Sequence, residues 1–288
     1  MKQRYRLKIR LVKTRYWTPK KLDSAIKYLS RIIERNYIRN SILFISEKAL
    51  RVLTGDIYDE SRISTSLLDI LFTRIHKFVW CRIFRNYVRE NILNTICSVR
   101  DEDLAKHLHF TVARCCVKSV LSCLKPTSGC GIDASYLPYM YVTDLEDRYV
   151  QVVNNLWSRY CNKLLAIVVV DSDLSLVERK GSIILTSRPT YVKNVINVGF
   201  LTYIISKSFL RKFFIKTMTV TYYVGKINDS RTFFILSKFL RRYMYNRYGM
   251  TLLEQVMCFE AVDYTGITWN MLLQTVNYPM AFVKISKG

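Results

Sequence analysis

With 288 residues, half of them apolar, the chain can bury a large core, and nine Gly and five Pro leave little room for flexible linkers. A formal net charge of +23 excludes a neutral surface and attracts anions: nucleic acid, acidic lipid, nucleotide or polyglutamate. No apolar run has the length of a membrane span, and the best, residues 195–214, is cut by Lys207, Arg211 and Lys212.

The charge is uneven. Residues 1–40 hold 13 Lys and Arg against two acids, and residues 205–250 hold ten against one. Eight cysteines form no Cys-x-x-Cys pair, and the N-terminus is basic and alternating, without the apolar centre of a signal peptide. These features predict a cytoplasmic chain with mostly reduced thiols.

Tyr5, Leu7, Ile9 and Leu11 alternate with Arg6, Lys8 and Arg10, which predicts a strand with one basic face. Thr18-Pro19 reads as a helix start, followed by Leu22, Ala25, Ile26, Leu29, Ile32 and Ile33 at helical spacing. Residues 42–45 predict a short buried strand ending at Ser46-Glu47-Lys48. Residues 67–96 predict one long or two short helices on the pattern Leu68, Leu71, Phe72, Ile75, Phe78 and Val79, with His76 as ordinary packing. His107 and His109 share one face of a strand-like stretch, and Cys115, Cys116, Cys123 and Cys130 follow. Plain core, a disulfide such as one through Cys130, and a metal site are all open for them.

The central stretch runs over residues 129–173. It opens on a Gly-flanked turn carrying Asp133 and Ser135, continues through an extended segment and a helix at 145–160, and closes on a wholly apolar strand at 164–170. That strand is expected to end abruptly on Asp171-Ser172-Asp173. Carboxylates gathered at the ends of buried strands are a usual way to hold Mg²⁺ or Mn²⁺ against a phosphate. Residues 182–185 predict another strand, running into Thr186-Ser187-Arg188-Pro189, where hydroxyls and an arginine suit phosphate. A helix at 201–214, a strand at 218–224, a basic amphipathic helix at 232–248 and a last strand at 280–285 complete the chain. The order argues for a mixed α/β or α+β single domain over residues 1–288. GxGxxG, a P-loop, HExxH and GxSxG are all missing, so four common enzyme classes lack support.

Gly131-Ile132-Asp133-Ala134-Ser135, the helix after it and Ile167-Val168-Val169-Val170-Asp171-Ser172 resemble the core of the coenzyme F-420 γ-glutamyl ligases. The likeness covers roughly residues 20–175, leaving 176–288 as a basic C-terminal portion. Ile45-Ser46-Glu47-Lys48 is similar to an archaeal branch of that family. The resemblance implies the ligase fold and an amide-forming activity: GTP and Mg²⁺ or Mn²⁺ activate a deazaflavin carboxylate, and L-glutamate attacks it. It implies Asp133 and Asp171 as metal carboxylates, with Asp173 added by location. It places Ser46 and Ser135 in turns matching those of the family, and Lys48, Ser187 and Arg188 are added as phosphate contacts by location. It also implies a homodimer. No residue is assigned a catalytic role.

The chain departs from the family at Tyr136, where the family has Asn, at Leu174-Ser175, where it has Gly-Arg, and at Asp56, where Arg is common. These changes remove polar and basic groups, two of them arginines able to contact a triphosphate. Two other readings therefore stand beside the ligase: a catalytically degenerate paralogue that binds a ligand, and a basic RNA-binding protein.

Overall fold

The computed structural model describes residues 5–59, 62–87, 93, 96–97, 99–114, 141–143, 148–241, 273–274 and 276–287. Its elements in chain order are β1 (Tyr5–Arg15), α1 (Leu22–Asn36), β2 (Ser41–Ser46), α2 (Glu47–Thr54), β3 (Ile57–Asp59), α3 (Leu67–Phe78), α4 (Asp101–Arg114) and β4 (Tyr141–Thr143). There follow α5 (Arg148–Tyr160), β5 (Leu164–Glu178), β6 (Ile184–Thr186), β7 (Ile196–Asn197), α6 (Leu201–Lys207), β8 (Phe214–Gly225), α7 (Ser230–Arg241) and β9 (Val276–Lys287). The class is mixed α+β, with seven α-helices among the described residues.

A seven-stranded mixed sheet organises the chain in the order β1-β9-β2-β5-β6-β7, with β8 also paired to β5. β2 and β5 run parallel, with Ser46 opposite Val170, whereas β9 and β8 are antiparallel to them. A parallel pair needs a crossover, and α2 to α5 lie within the connection. β3 and β4 pair in a separate small ribbon.

Side chains alternate across the central strands, and both faces are covered. Leu43, Ile45, Ile167, Val169, Met280 and Phe282 pack with α1, α2 and α5. Ile42, Phe44, Ala166, Val168, Val170 and Ala281 pack on the opposite side, with Phe233, Phe234 and Leu240 of α7. This burial explains why the sequence of β5 begins as an unbroken apolar run. Each fully buried Val, Ile, Leu or Phe contributes about 1.5–3 kcal/mol, so the two layers supply the main driving force.

Several expectations change in the folded chain. Thr18 does not cap a helix: Lys20 N–H donates to the Leu53 carbonyl, and α1 starts only at Leu22. His107 and His109 lie on α4, not on a strand. The helix expected over 201–214 is a short α6, then a 3-10 turn (Phe209–Phe213), and β8 has begun by Phe214. α3 is followed by a π-helical turn (Val79–Ile83) and a 3-10 turn (Arg85–Tyr87). Cys81 and Cys97 are joined in a disulfide, with Cα atoms 6.2 Å apart, a pair that the expectation of mostly reduced thiols did not name, and Cys161 is free. The π-turn carries Cys81 against the Ile96, Val99, Leu104 and Leu108 cluster, which brings it to Cys97.

β5 does not stop at Val170. It runs on to Glu178 because β8 accompanies it throughout. The register slips between Asp171 and Leu174, so Ser172 and Asp173 form a two-residue bulge. β2 pairs with β5 before the bulge and β6 pairs with it after, at Ser175 to Val177. A bulge of this kind re-aims side chains without ending the strand.

Gly225 pairs with Ala166, and an added Cβ would lie 2.4 Å from the Ala166 Cβ and 2.7 Å from the Leu165 carbonyl oxygen. Neither neighbour has a flexible end to move. Gly225→Ala is therefore expected to cost about 1–3 kcal/mol in urea unfolding, whereas a variant as stable as the parent would show that the strand end relaxes.

Candidate functional site

The parallel strands β2 and β5 deliver Glu47 and Asp171 to the same level of the sheet. Ser46 faces Val170 in register, and Glu47 and Asp171 are the next residues. Glu47 is the first residue of α2, where a carboxylate meets the positive end of the helix. Arg51 lies one turn on, and its Nε donates to Glu47 Oε1 at 2.7 Å. α2 ends in a left-handed Gly55, with Gly55 N–H donating to Val52 O and Asp56 N–H to Arg51 O. This fixes the helix and hence the direction of Arg51.

Arg188 closes the cluster. It follows β6, which the Ser187 N–H ties to the Leu174 carbonyl beyond the bulge. Its Nη1 donates to Asp171 Oδ2 at 2.6 Å and its Nη2 to Glu47 Oε1 at 3.0 Å. The Arg188, Glu47 and Arg51 side chains are all under a tenth exposed. Burial alone would push Glu47 up, but Arg188 and Arg51 hold its carboxyl below the usual range. Burial likewise works against the charge on Arg188, yet Glu47, Asp171 and Asp173 raise it.

Two tyrosines frame the cluster. The Tyr149 ring stacks under the Arg51 guanidinium at 4.7 Å, and burial followed by the Glu47 charge raises its hydroxyl. The Tyr203 hydroxyl donates to Asp173 Oδ1 at 3.4 Å, and burial raises it well above a free tyrosine. Among the described residues, Arg188 Nε and the Tyr149 hydroxyl are buried without a hydrogen-bond partner. So is Glu47 Oε2.

The expected site residues divide as follows. Asp171, Asp173, Ser187 and Arg188 come together around the bulge, and Ser46 and Lys48 flank Glu47 on the facing strand end. Asp133 and Ser135 lie outside the described residues. Glu47, Tyr149 and Tyr203 were not singled out as ligands. The available signal was the Glu-x-x-x-Arg spacing directly after a buried strand, which surface helices share.

The expected metal set is described only in part: Asp133 lies outside the described residues, and Asp171 and Asp173 each meet protein donors. Asp171 Oδ1 accepts from the Ser172 N–H at 2.7 Å and Oδ2 from Arg188, so both oxygens are engaged. The Arg188 guanidinium sits between Asp171 and Glu47 and is the positive charge they share. Among the described residues no three His, Cys, Asp or Glu side chains are grouped to hold a metal. His109 instead meets Asp69, Nδ1 to Oδ1 at 3.0 Å, and buried His107 lies 3.5 Å from the Thr111 hydroxyl.

Neither a protein-family model nor a curated protein matches the chain. No described helix is long and apolar enough to cross a membrane.

Arg188→Met would leave Glu47 and Asp171 short of their shared counter-charge, and a loss of about 3–5 kcal/mol at neutral pH is expected in urea unfolding. Glu47 has a depressed pKa in the folded chain, so its contribution is present at neutral pH and lost as pH falls through the carboxylate range. The gap between parent and variant should therefore narrow on acidification. A gap that stays constant would place the cost in packing instead of charge.

Proposed function

We propose that the protein is a γ-glutamyl ligase-like binding protein, the non-turnover form of the ligase reading. Its strand-end cluster takes a small ligand bearing an anion beside an amine, of which L-glutamate is the example the resemblance supplies. Arg188 and Ser187 meet the carboxylate, and Asp173 and Glu47 meet the amine. The observation that carries the reading is a buried polar cluster with unspent bonding capacity, the donor Arg188 Nε, set among carboxylates of opposite sign. Three carboxylates (Glu47, Asp171 and Asp173) face two guanidiniums (Arg51 and Arg188), a balance that suits a zwitterion better than a bare polyanion such as GTP. The guanidinium between Glu47 and Asp171 supports binding without metal-assisted chemistry.

L-glutamate at about 100 times its Kd should stabilise the intact chain by about 2.7 kcal/mol, read as a rise in Tm. Glutarate, which lacks the amine, should give a smaller rise, and Asp173→Asn should weaken glutamate about tenfold while sparing glutarate. The absence of a shift with either acid would leave the cluster as a structural clamp. Mg²⁺-dependent GTP hydrolysis coupled to glutamate addition on a deazaflavin carboxylate would restore the enzyme and overturn the non-turnover reading.

A second reading rests on β1. Among the described strands it has only β9 beside it, and it presents Arg6, Lys8, Arg10, Lys13 and Arg15 exposed along its length. Such a row suits a nucleic-acid backbone. Affinity for single-stranded RNA should then fall steeply with salt, and Arg6→Gln with Lys8→Gln and Arg10→Gln should flatten the slope by about 0.7 for each phosphate no longer neutralised. No binding at low salt would dismiss it.

A further inference from the structure

α3 packs with its polarity reversed. The side chains it buries are Thr73 and His76, whereas its large apolar residues face outward. Leu67 is 85% exposed and Leu68 75%, and Leu71, Phe72, Ile75 and Phe78 are between 42% and 60%. Leu68, Leu71, Ile75 and Phe78 fall at i, i+3, i+7 and i+10, one continuous stripe about 15 Å long. The inner side is held by polar contacts: Lys77 Nζ reaches the Val99 carbonyl and Asp101, and Asp69 closes the capping box with Ser66. The orientation is therefore built in. A monomer rarely exposes so many large apolar side chains in one place.

A second apolar projection adjoins it. Phe200, just before α6, packs its ring against Trp80 and Phe84, at 6.4 and 6.0 Å, beside the end of the α3 segment. The 3-10 turn after α6 then exposes Phe209 and Phe213, by 76% and 50%. Around these residues Arg82, Arg85, Lys207, Arg211 and Lys212 are all exposed. Lys212 Nζ lies 5.1 Å from the Phe213 ring centroid, so cation and aromatic face outward together.

We propose that the outer face of α3 and the turn at Phe209–Phe213 dock on an anionic lipid bilayer, lying in its interface without crossing it. The argument is complementarity of two kinds. Large apolar side chains with exposed Lys and Arg at one end match acyl chains below acidic headgroups. A second copy would cover the stripe but would bring basic rims together, in a chain already at +23. Nucleic acid would satisfy the bases and leave Leu67, Leu68 and Phe78 in water. α3 itself, at 12 residues, is too short to span.

The test is co-sedimentation of the full chain with phosphatidylcholine vesicles, with and without phosphatidylserine. Binding is expected only with phosphatidylserine and should weaken as salt rises. A triple variant (L71Q, I75Q and F78Q) should lose affinity roughly tenfold or more, and R211E with K212E should do the same. All five side chains are exposed, so an unchanged Tm verifies that the variants fold. Binding that is equal on both vesicles, or unaffected by either variant, overturns the proposal. A dimer in sedimentation analysis that the triple variant dissolves also overturns it, because the stripe then serves a second copy.

Discussion

One guanidinium joins three parts of the chain that are far apart in sequence. Arg188 bridges Glu47, at the head of α2, and Asp171, at the bulge of β5, while its own backbone segment follows β6. The end of β2, the bulge of β5 and the segment after β6 are thereby fixed relative to one another. Such a bridge is costly to desolvate, and its Coulomb energy repays that cost only where the geometry is tight. Here Arg51 lends Glu47 a second cation and the positive end of α2 a third source of charge. The cluster is held because each charge has an opposite beside it, and none would survive there alone.

The sheet creates the room for this cluster. β8 follows β5 along its whole length, but β2 and β6 each follow only part of it. The bulge at Ser172 and Asp173 falls in the interval between them. Regular pairing on both sides holds the interval open, and polar side chains occupy it instead of a further strand. Thr219 and Thr217 of β8 meet the same region from behind, bonding the Asp173 and Ser175 carbonyls. Backbone groups at the bulge are thus satisfied by side chains, the Asp173 carbonyl by the Thr219 hydroxyl and the Ser172 N–H by Asp171 Oδ1.

The two apolar patterns of the molecule obey different rules. In β2, β5 and β9 alternation sorts side chains between two helical layers, and the large ones at the strand centres are buried. In α3 the same residue types face out, because the inner face is fixed by Lys77, Asp69 and His76 to the α4 side. Burial and the nearby His107 pull His76 down to about 4, so it packs there neutral at physiological pH. Periodicity reveals that a helix has an apolar stripe. It does not say whether that stripe meets the chain's own core or something else.

Much of the fold could be read from local sequence. The period-two pattern of β1, the apolar runs of β2 and β5, the amphipathic helices α1, α5 and α7 and the last strand all follow from spacing, because each side chain's choice of face is a local matter. Asp171, Asp173, Ser187 and Arg188 were legible as polar residues beside buried strands. Their pairing was not, nor were Glu47 and Arg51 as its partners, because an acid and a base four apart read alike on any exposed helix. The sequence alone determined the buried strands, the basic segments and the candidate polar turns. Tertiary structure decided that β5 continues past its acids, that Arg188 stands between them and that α3 turns its leucines outward. Each of those outcomes depends on a neighbour distant along the chain, and charge pairing and helix orientation are settled only when that neighbour arrives.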